Sequence, residues 1–375
     1  ALSSASYTFE NLYKTYKEWN EKIYRPKDQQ SSYFISQLGY EAIPEDMIDT
    51  TIIEEAQSGG ASHSSFQREY CAQFTDGSDS YFSAKKMHEC TIPDGEEPTT
   101  LIKGNKDKKY IIGIDPSFSN SPSSDYFAIA IMELDDKNEV GTLVHNYAVA
   151  GGDLKDHINY MYYLMNSFNV VMICIDNAGY QFLDSCNENK KFLDNKIKMN
   201  FFDFKGEADG EDYIKEVRDA KIKYNKEKGM IAFKMVFSSE SIRKANEHLQ
   251  ACVDYKKIWF ASKASANGAA FDRQVNQKIP IQSTGETNIG ELIEMQDNLV
   301  YQTKKQCALI EVKSTARGNQ TFDLPQHLKR STSATRARKD NYTALMLANW
   351  GIRAYHDISS YEQDEIDYTF MPRMV

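Results

Sequence analysis

Two stretches decide how the chain folds: Tyr110-Ile111-Ile112-Gly113-Ile114-Asp115 and Val170-Val171-Met172-Ile173-Cys174-Ile175-Asp176. Each is a continuous apolar run, rich in β-branched residues, that stops at an aspartate. A run that is apolar at successive positions, not at alternate ones, reads as a strand covered on both faces. An ionised carboxylate at the end of such a strand carries a desolvation cost unless something pairs it, and in an open α/β sheet the strand ends are where ligands bind. Either aspartate alone reads more simply as a turn former or helix cap. Two together, in the strand order that surrounds them, read as halves of one site.

That order follows from the neighbouring pattern. Tyr126–Leu134 and Gly141–Val149 are apolar runs joined by Asp135-Asp136-Lys137-Asn138, a hairpin. Asp153–Phe168 has helical periodicity with Asp153 as its cap. Three meandering strands, a crossover helix and a buried strand make the ribonuclease H-like order. The predicted fold class is therefore α/β: a central mixed sheet flanked by helices, preceded by a small, mostly helical N-terminal segment. Downstream, strands are expected at Met199–Phe204, Ile231–Phe237 and Ala308–Val312, and helices at Glu211–Lys228, Glu240–Val253, Ile289–Thr303 and Asn341–Tyr355. Gly318-Asn319 reads as a hairpin turn returning through Thr321-Phe322. Upstream, Phe9–Ile23, Ile48–Ala56 and Ser65–Phe74 read as helices, and the Pro/Gly/Lys-rich Asp94–Asp107 as a linker. The expected domains are 1–100, 101–358, and an acidic tail at 359–375.

A third carboxylate stands in Arg336-Ala337-Arg338-Lys339-Asp340-Asn341-Tyr342-Thr343-Ala344-Leu345, where a basic loop runs into the last helix. Asp340 is a natural N-terminal cap, favoured there by the helix dipole, and a capped carboxylate is also rigidly held. Asp115, Asp176 and Asp340 converging from two strand ends and a helix start could hold two Mg²⁺ or Mn²⁺ ions, since oxygen donors suit hard cations. Such a pair activates water and stabilises the leaving oxygen of a phosphodiester. Lys329, Arg330, Arg336, Arg338 and Lys339 place cations beside Asp340, and Arg317 lies on the expected hairpin; these are the candidate DNA contacts, with a solvated loop as the equal alternative. The formal net charge of −10 argues against a protein that grips nucleic acid with its whole surface, leaving a local strip as the means. With no interleaving of aromatic and basic residues, duplex DNA gripped by its backbone is the expected ligand.

The motifs as a set are similar to the large subunit of tailed-bacteriophage DNA-packaging terminases. Phe66-Gln67-Arg68-Glu69-Tyr70 with Tyr81-Phe82 resembles the exit from the ATPase domain of that family, and Gly113-Ile114-Asp115-Pro116-Ser117, with Asp125 in the following loop, its first nuclease motif. Asp176-Asn177-Ala178-Gly179 resembles the second motif; Phe322-Asp323-Leu324-Pro325 and Lys339-Asp340-Asn341-Tyr342 resemble the third. The resemblance spans nearly the whole chain. It implies a metal-dependent endonuclease that cuts concatemeric viral double-stranded DNA during packaging, with Asp115, Asp176 and Asp340 as catalytic metal ligands and the phage portal and small terminase subunit as partners. The place implied is the host cytoplasm, at the procapsid. Some members of the family carry adjacent acidic residues at the third motif, where Lys339 stands here; Asp184 is a candidate fourth carboxylate. Residues 1–100 would be the end of an ATPase domain. No Gly-x-x-x-x-Gly-Lys-Ser/Thr loop is present, so no ATPase activity is expected, and Ser3-Ser4 reads as a cap.

Other readings stay open. A resolvase or integrase shares the strand order. An actin-like sugar kinase also begins with a strand ending in aspartate, but a Gly-rich turn follows there, where Pro116-Ser117-Phe118 stands here. A non-catalytic packaging or portal-docking module is the alternative of another class. The six cysteines form no CxxC pair, which disfavours a zinc ribbon and suits a reducing compartment. The histidines are isolated, with His327 near the third motif as a phosphate-positioning candidate. No run approaches the ~20 apolar residues of a membrane span, and the chain opens on Ala, as a truncated or processed chain would.

Overall fold

A computed structural model describes residues 5, 8, 11–24, 33–48, 50, 53, 66–68, 70–75, 80–119, 121, 124–137, 139–203, 215–222, 230–235, 237–276, 288–314, 320–325, 328 and 337–360. In chain order its elements are helices α1 (Asn11–Ile23) and α2 (Ala84–Glu89), then strands β1 (Lys109–Asp115), β2 (Tyr126–Asp135) and β3 (Val140–Ala150). Helix α3 (Leu154–Ser167) leads to β4 (Val170–Asp176), followed by α4 (Tyr180–Glu188), α5 (Lys190–Asp194), β5 (Met199–Asp203) and β6 (Met230–Met235). Then come α6 (Ser239–Asp254), β7 (Ile258–Phe260), α7 (Gly268–Val275), α8 (Ile289–Ala308), the hairpin strands β8 (Glu311–Ser314) and β9 (Gln320–Asp323), and α9 (Asp340–Ser360).

Seven strands form one mixed sheet in the order β5-β6-β4-β1-β2-β3-β7. The β1–β2–β3 meander is antiparallel; β4 lies parallel to β1 on its other side, with β6 and β5 continuing in parallel. This is the expected ribonuclease H-like arrangement. Both faces of the sheet are covered, as the unbroken apolar runs require. Ile112, Ile114, Ile129, Ile131, Ile173 and Ile175 face α3 and α4, packing with Met161, Leu164 and Phe182. The alternate residues Ile111, Ala128, Ala130, Met172 and Cys174 face α9, with Leu345, Ala348 and Ile352 among its buried side chains.

Helix α9 lies against β1 at backbone distance. A Cβ added at Gly113 would collide with Ala344 O and Ala348 N, and one at Gly351 would stand 2.9 Å from Ile111 Cγ2. The glycine in the first apolar run is thus a packing requirement.

The structure extends the sequence reading in several places. Strand β7 is too short to show periodicity, yet it pairs in parallel with β3 through Gly141, Thr142 and Leu143. The stretch read as a linker runs along the sheet: Ile92 N donates to Phe260 O at 2.9 Å, Thr100 N to Ser262 O at 2.9 Å and Leu101 N to Val144 O at 2.8 Å. Its Thr100 hydroxyl also joins Ala264 N and Ser265 in donating to Asp297, a buried carboxylate on α8. Helix α8 continues to Ala308, where a strand was expected, because Val300, Cys307 and Ala308 bury along it; the strand begins instead at Glu311. Only 215–222 of the helix expected at Glu211–Lys228 lies among the described residues, and most of Ile48–Ala56 and the tail after Ser360 fall outside them. Of the helix expected at Ser65–Phe74 only residues 66–68 are helical among the described residues, residues 70–74 being turn and irregular, with Gln73 N donating to Gln67 O.

Two predictions arise. Gly113→Ala should destabilise by at least about 1–3 kcal/mol, read as a lower urea midpoint; an unchanged midpoint would show that α9 lifts off freely. The second concerns His145 and His248, whose imidazoles burial pushes down to about 4. His145 Nδ1 meets Leu101 O at 2.6 Å and its Nε2 meets Tyr160 Oη at 2.8 Å. A histidine depressed on folding protonates first in the unfolded chain, so stability is full above the unfolded value of about 6.5 and declines as pH falls toward 4. Each should cost on the order of 1 kcal/mol by about pH 5.5. His145→Gln should flatten that decline in paired urea titrations at neutral and acidic pH; parallel wild-type and variant curves would remove His145 as a cause.

Candidate active site at the strand ends

Adjacent parallel strands bring the first two aspartates together. The β1–β4 register pairs Gly113 with Cys174 and Ile114 with Ile175, so Asp115 and Asp176 each follow the last paired position. Two-residue alternation puts Asp115 on the face of Ile111 and Gly113, and Asp176 on the face of Cys174. That face is the one α9 covers. Asp340 is the first residue of α9 and is only 6% exposed. Its Oδ2 accepts from Tyr126 N at 2.7 Å, which fixes the carboxylate to the start of β2.

The electrostatics are those of crowded anions. Burial, reinforced by the charges of Asp340 and then Asp176, holds Asp115 well above the usual carboxylate range, against the Thr343 hydroxyl and Lys339, which favour its ionised form. Asp340 is pushed up to about 6, chiefly by burial; the Tyr126 amide opposes this, Asp125 adds to it, and Arg338 and Lys339 oppose it. The three predicted aspartates therefore share one field. Among the described residues, however, no group of three His, Cys, Asp or Glu side chains is drawn closely enough to hold a metal ion. The donor chemistry, carboxylate oxygens with excess negative charge, fits a hard divalent cation; closing on one needs the side chains to turn inward.

One participant escaped the sequence reading, and another was read only as part of a motif, without a role. Thr343 stands three residues after Asp340, hence on the same face of the helix; its hydroxyl donates to Lys339 O at 3.3 Å and its presence favours the ionised form of Asp115. Asp125 was placed in the loop before β2, but its charge reaches Asp340; the signal was its position next to Tyr126. Asp184 sits on α4, on the sheet face opposite α9.

The cationic candidates divide. Arg338 is 9% exposed, with Nε donating to Ser124 O at 3.1 Å, Nη1 donating to Tyr126 Oη at 3.0 Å and its guanidinium 4.2 Å from the centre of the Tyr126 ring. Lys339 Nζ lies 3.2 Å from Asp323 Oδ1 and donates to Phe322 O at 3.3 Å, tying α9 to the hairpin. Arg317, Lys329, Arg330 and Arg336 lie outside the described residues, as do His327 and Ser3-Ser4. Buried His145 and His157 are core polar residues, and His248 is half-buried.

No family model matches the sequence, and no curated protein does. Among solved structures the chain is similar to the large terminase nuclease of thermophilic phage G20c with bound magnesium, at 12% identity and a TM-score of 0.37, over 72% of this chain and 96% of that one. It is similar to the Thermus phage P74-26 large terminase nuclease domain at 13% identity and a TM-score of 0.39, over 72% and 93%. It is also similar to the HK97 bacteriophage large terminase at 12% identity and a TM-score of 0.38, over 80% of this chain and 50% of that one.

Proposed function

We propose that the chain is a metal-dependent endodeoxyribonuclease that cuts double-stranded concatemeric DNA during viral genome packaging, as the nuclease part of a large terminase. The observation that carries this reading is the shared field of Asp115, Asp176 and Asp340 at the mouth of a ribonuclease H-like sheet. Asp115 and Asp176 at the ends of β1 and β4 and Asp340 at the start of α9 lie toward one end of the sheet, and the excess of negative charge there would attract divalent cations.

Asp115, Asp176 and Asp340 would hold Mg²⁺ or Mn²⁺. Two such ions supply activation of a water and stabilisation of the leaving oxygen. The chain itself contributes rigidity, since the Tyr126 amide orients Asp340, and the Thr343 hydroxyl favours the ionised form of Asp115. The loop carrying Lys329, Arg330 and Arg336, together with Arg317 between the hairpin strands, would neutralise backbone phosphates, while Arg338 and Lys339, engaged by Tyr126 and Asp323, would brace the site beside them. Residues 1–100 would be the remnant of an ATPase domain, 101–358 the nuclease and 359–375 an acidic tail. Portal, small subunit and procapsid belong to the same proposal.

The looseness of the acidic group among the described residues favours a second reading, a packaging module that has lost catalysis. Plasmid nicking decides between them. Cutting should require Mg²⁺ or Mn²⁺ and stop in EDTA, with no ATP turnover above background. Asp115→Asn, Asp176→Asn and Asp340→Asn should each lower the rate by at least about 100-fold without lowering the thermal midpoint, because thinning an acidic cluster relieves repulsion. Metal-loaded wild type that leaves plasmid intact would establish the non-catalytic module; variants that cut normally would remove these carboxylates from the site.

A further inference from the structure

A cleft of about 190 Å³ lies beside the acidic group, lined by Tyr126, Gln302, Lys305, Gln306, Leu309 and the start of the α9 approach at Ala337 and Arg338. It shares a residue with the candidate site, since the Tyr126 amide that holds Asp340 belongs to the same residue whose ring forms one wall. Its chemistry is the reverse of its neighbour's. Among the described residues no carboxylate lines it, and two cationic side chains do.

Each wall is fixed by a different contact. Arg338 is held over the Tyr126 ring by its bonds to Ser124 O and Tyr126 Oη. Gln306 Oε1 accepts from Tyr342 N at 3.1 Å, which commits its Nε2 to donating. Lys305 is exposed at the last turn of α8, with Nζ 4.9 Å from the centre of the Tyr301 ring. Size narrows the ligand. Pockets for whole drug-sized ligands run to roughly 300–1,000 Å³, so this cleft is too small for a whole nucleotide-sized ligand and large enough for a phosphate with part of its sugar.

We propose that this cleft is a backbone subsite, receiving the phosphate and sugar of a DNA nucleotide that adjoins the acidic group, with Lys305 as the phosphate contact. The proposal rests on the nuclease reading for its ligand. Lys305 acts as a positioning residue: it sets where the duplex lies relative to Asp340, and touches no reacting atom. It also enlarges the cationic strip beyond the loop foreseen from sequence, to the end of α8, which lines the same cleft as Ala337 and Arg338.

The test is an anisotropy titration of a labelled blunt duplex in EDTA over a series of salt concentrations, beside plasmid nicking in Mg²⁺. Wild type is compared with Lys305→Ala and Lys305→Arg. Loss of one phosphate contact should raise Kd about 5-fold and reduce the salt slope by about 0.9, equally for unrelated sequences; Lys305→Arg should restore both. If Lys305→Ala only lowers the melting temperature and leaves Kd and slope at wild-type values, Lys305 merely offsets the helix dipole and the proposal is overturned. Wild type that binds duplex through Lys305 but cuts nothing would sink the nuclease reading and keep the subsite. Wild type that neither binds nor cuts would sink both.

Discussion

The closeness of α9 to β1 is the constraint on which the rest hangs. Where Gly113 passes under Ala344 and Ala348, the obstacles to any side chain are backbone atoms of the helix. No trimming of helix side chains could make room for a Cβ. This contact sets the depth of α9 on the sheet, and so the height at which its first residue, Asp340, meets Asp115 and Asp176. Close packing of this kind resists deformation, and it gives the carboxylates a fixed frame, to which the Tyr126 amide adds by holding the Asp340 side chain.

The site stands at odds with the core that builds it. The isoleucines of β1 and β4 bury on both faces at no electrostatic cost, whereas the next residue on each strand is a carboxylate in the field of another. Burial is the larger cause of the raised Asp115 and Asp340 values, and mutual repulsion is second for Asp115. The protein answers with hydrogen bonds to the ionised forms, from the Tyr126 amide and the Thr343 hydroxyl, and with two cations. Each of those cations also has a structural duty: Arg338 clamps residues 124–126, and Lys339 holds the hairpin.

The central strands, the crossover helix and the last helix were legible because long periodic runs carry their own signal. The three aspartates were legible because each stands at a boundary, where polarity changes abruptly. β7 was not, since three residues cannot show a period, and its place depends on the edge that β3 offers. Asp94–Asp107 has the composition of a linker, but backbone groups in any composition can be captured by a sheet edge. Arg338 was read as a cation facing DNA because charge in a sequence has sign but no direction; its burial against Tyr126 depends on a loop more than two hundred residues earlier. Thr343 was hidden for the opposite reason, as an unremarkable polar residue within a strong helical pattern.

Lys339 has a mechanical consequence. It is the residue immediately before Asp340, and its amine is engaged by Asp323 Oδ1 and Phe322 O at the end of β9. The β8–β9 pair is a separate two-stranded ribbon outside the seven-stranded sheet. The ribbon is joined to the body both by this side chain and by Phe322, which is buried in the core that also holds α9, its ring centre 5.1 Å from that of Tyr81, so a force on the ribbon is shared between the packed core and the residue next to Asp340. Anything that pushes the ribbon works on a short lever whose far end is a carboxylate.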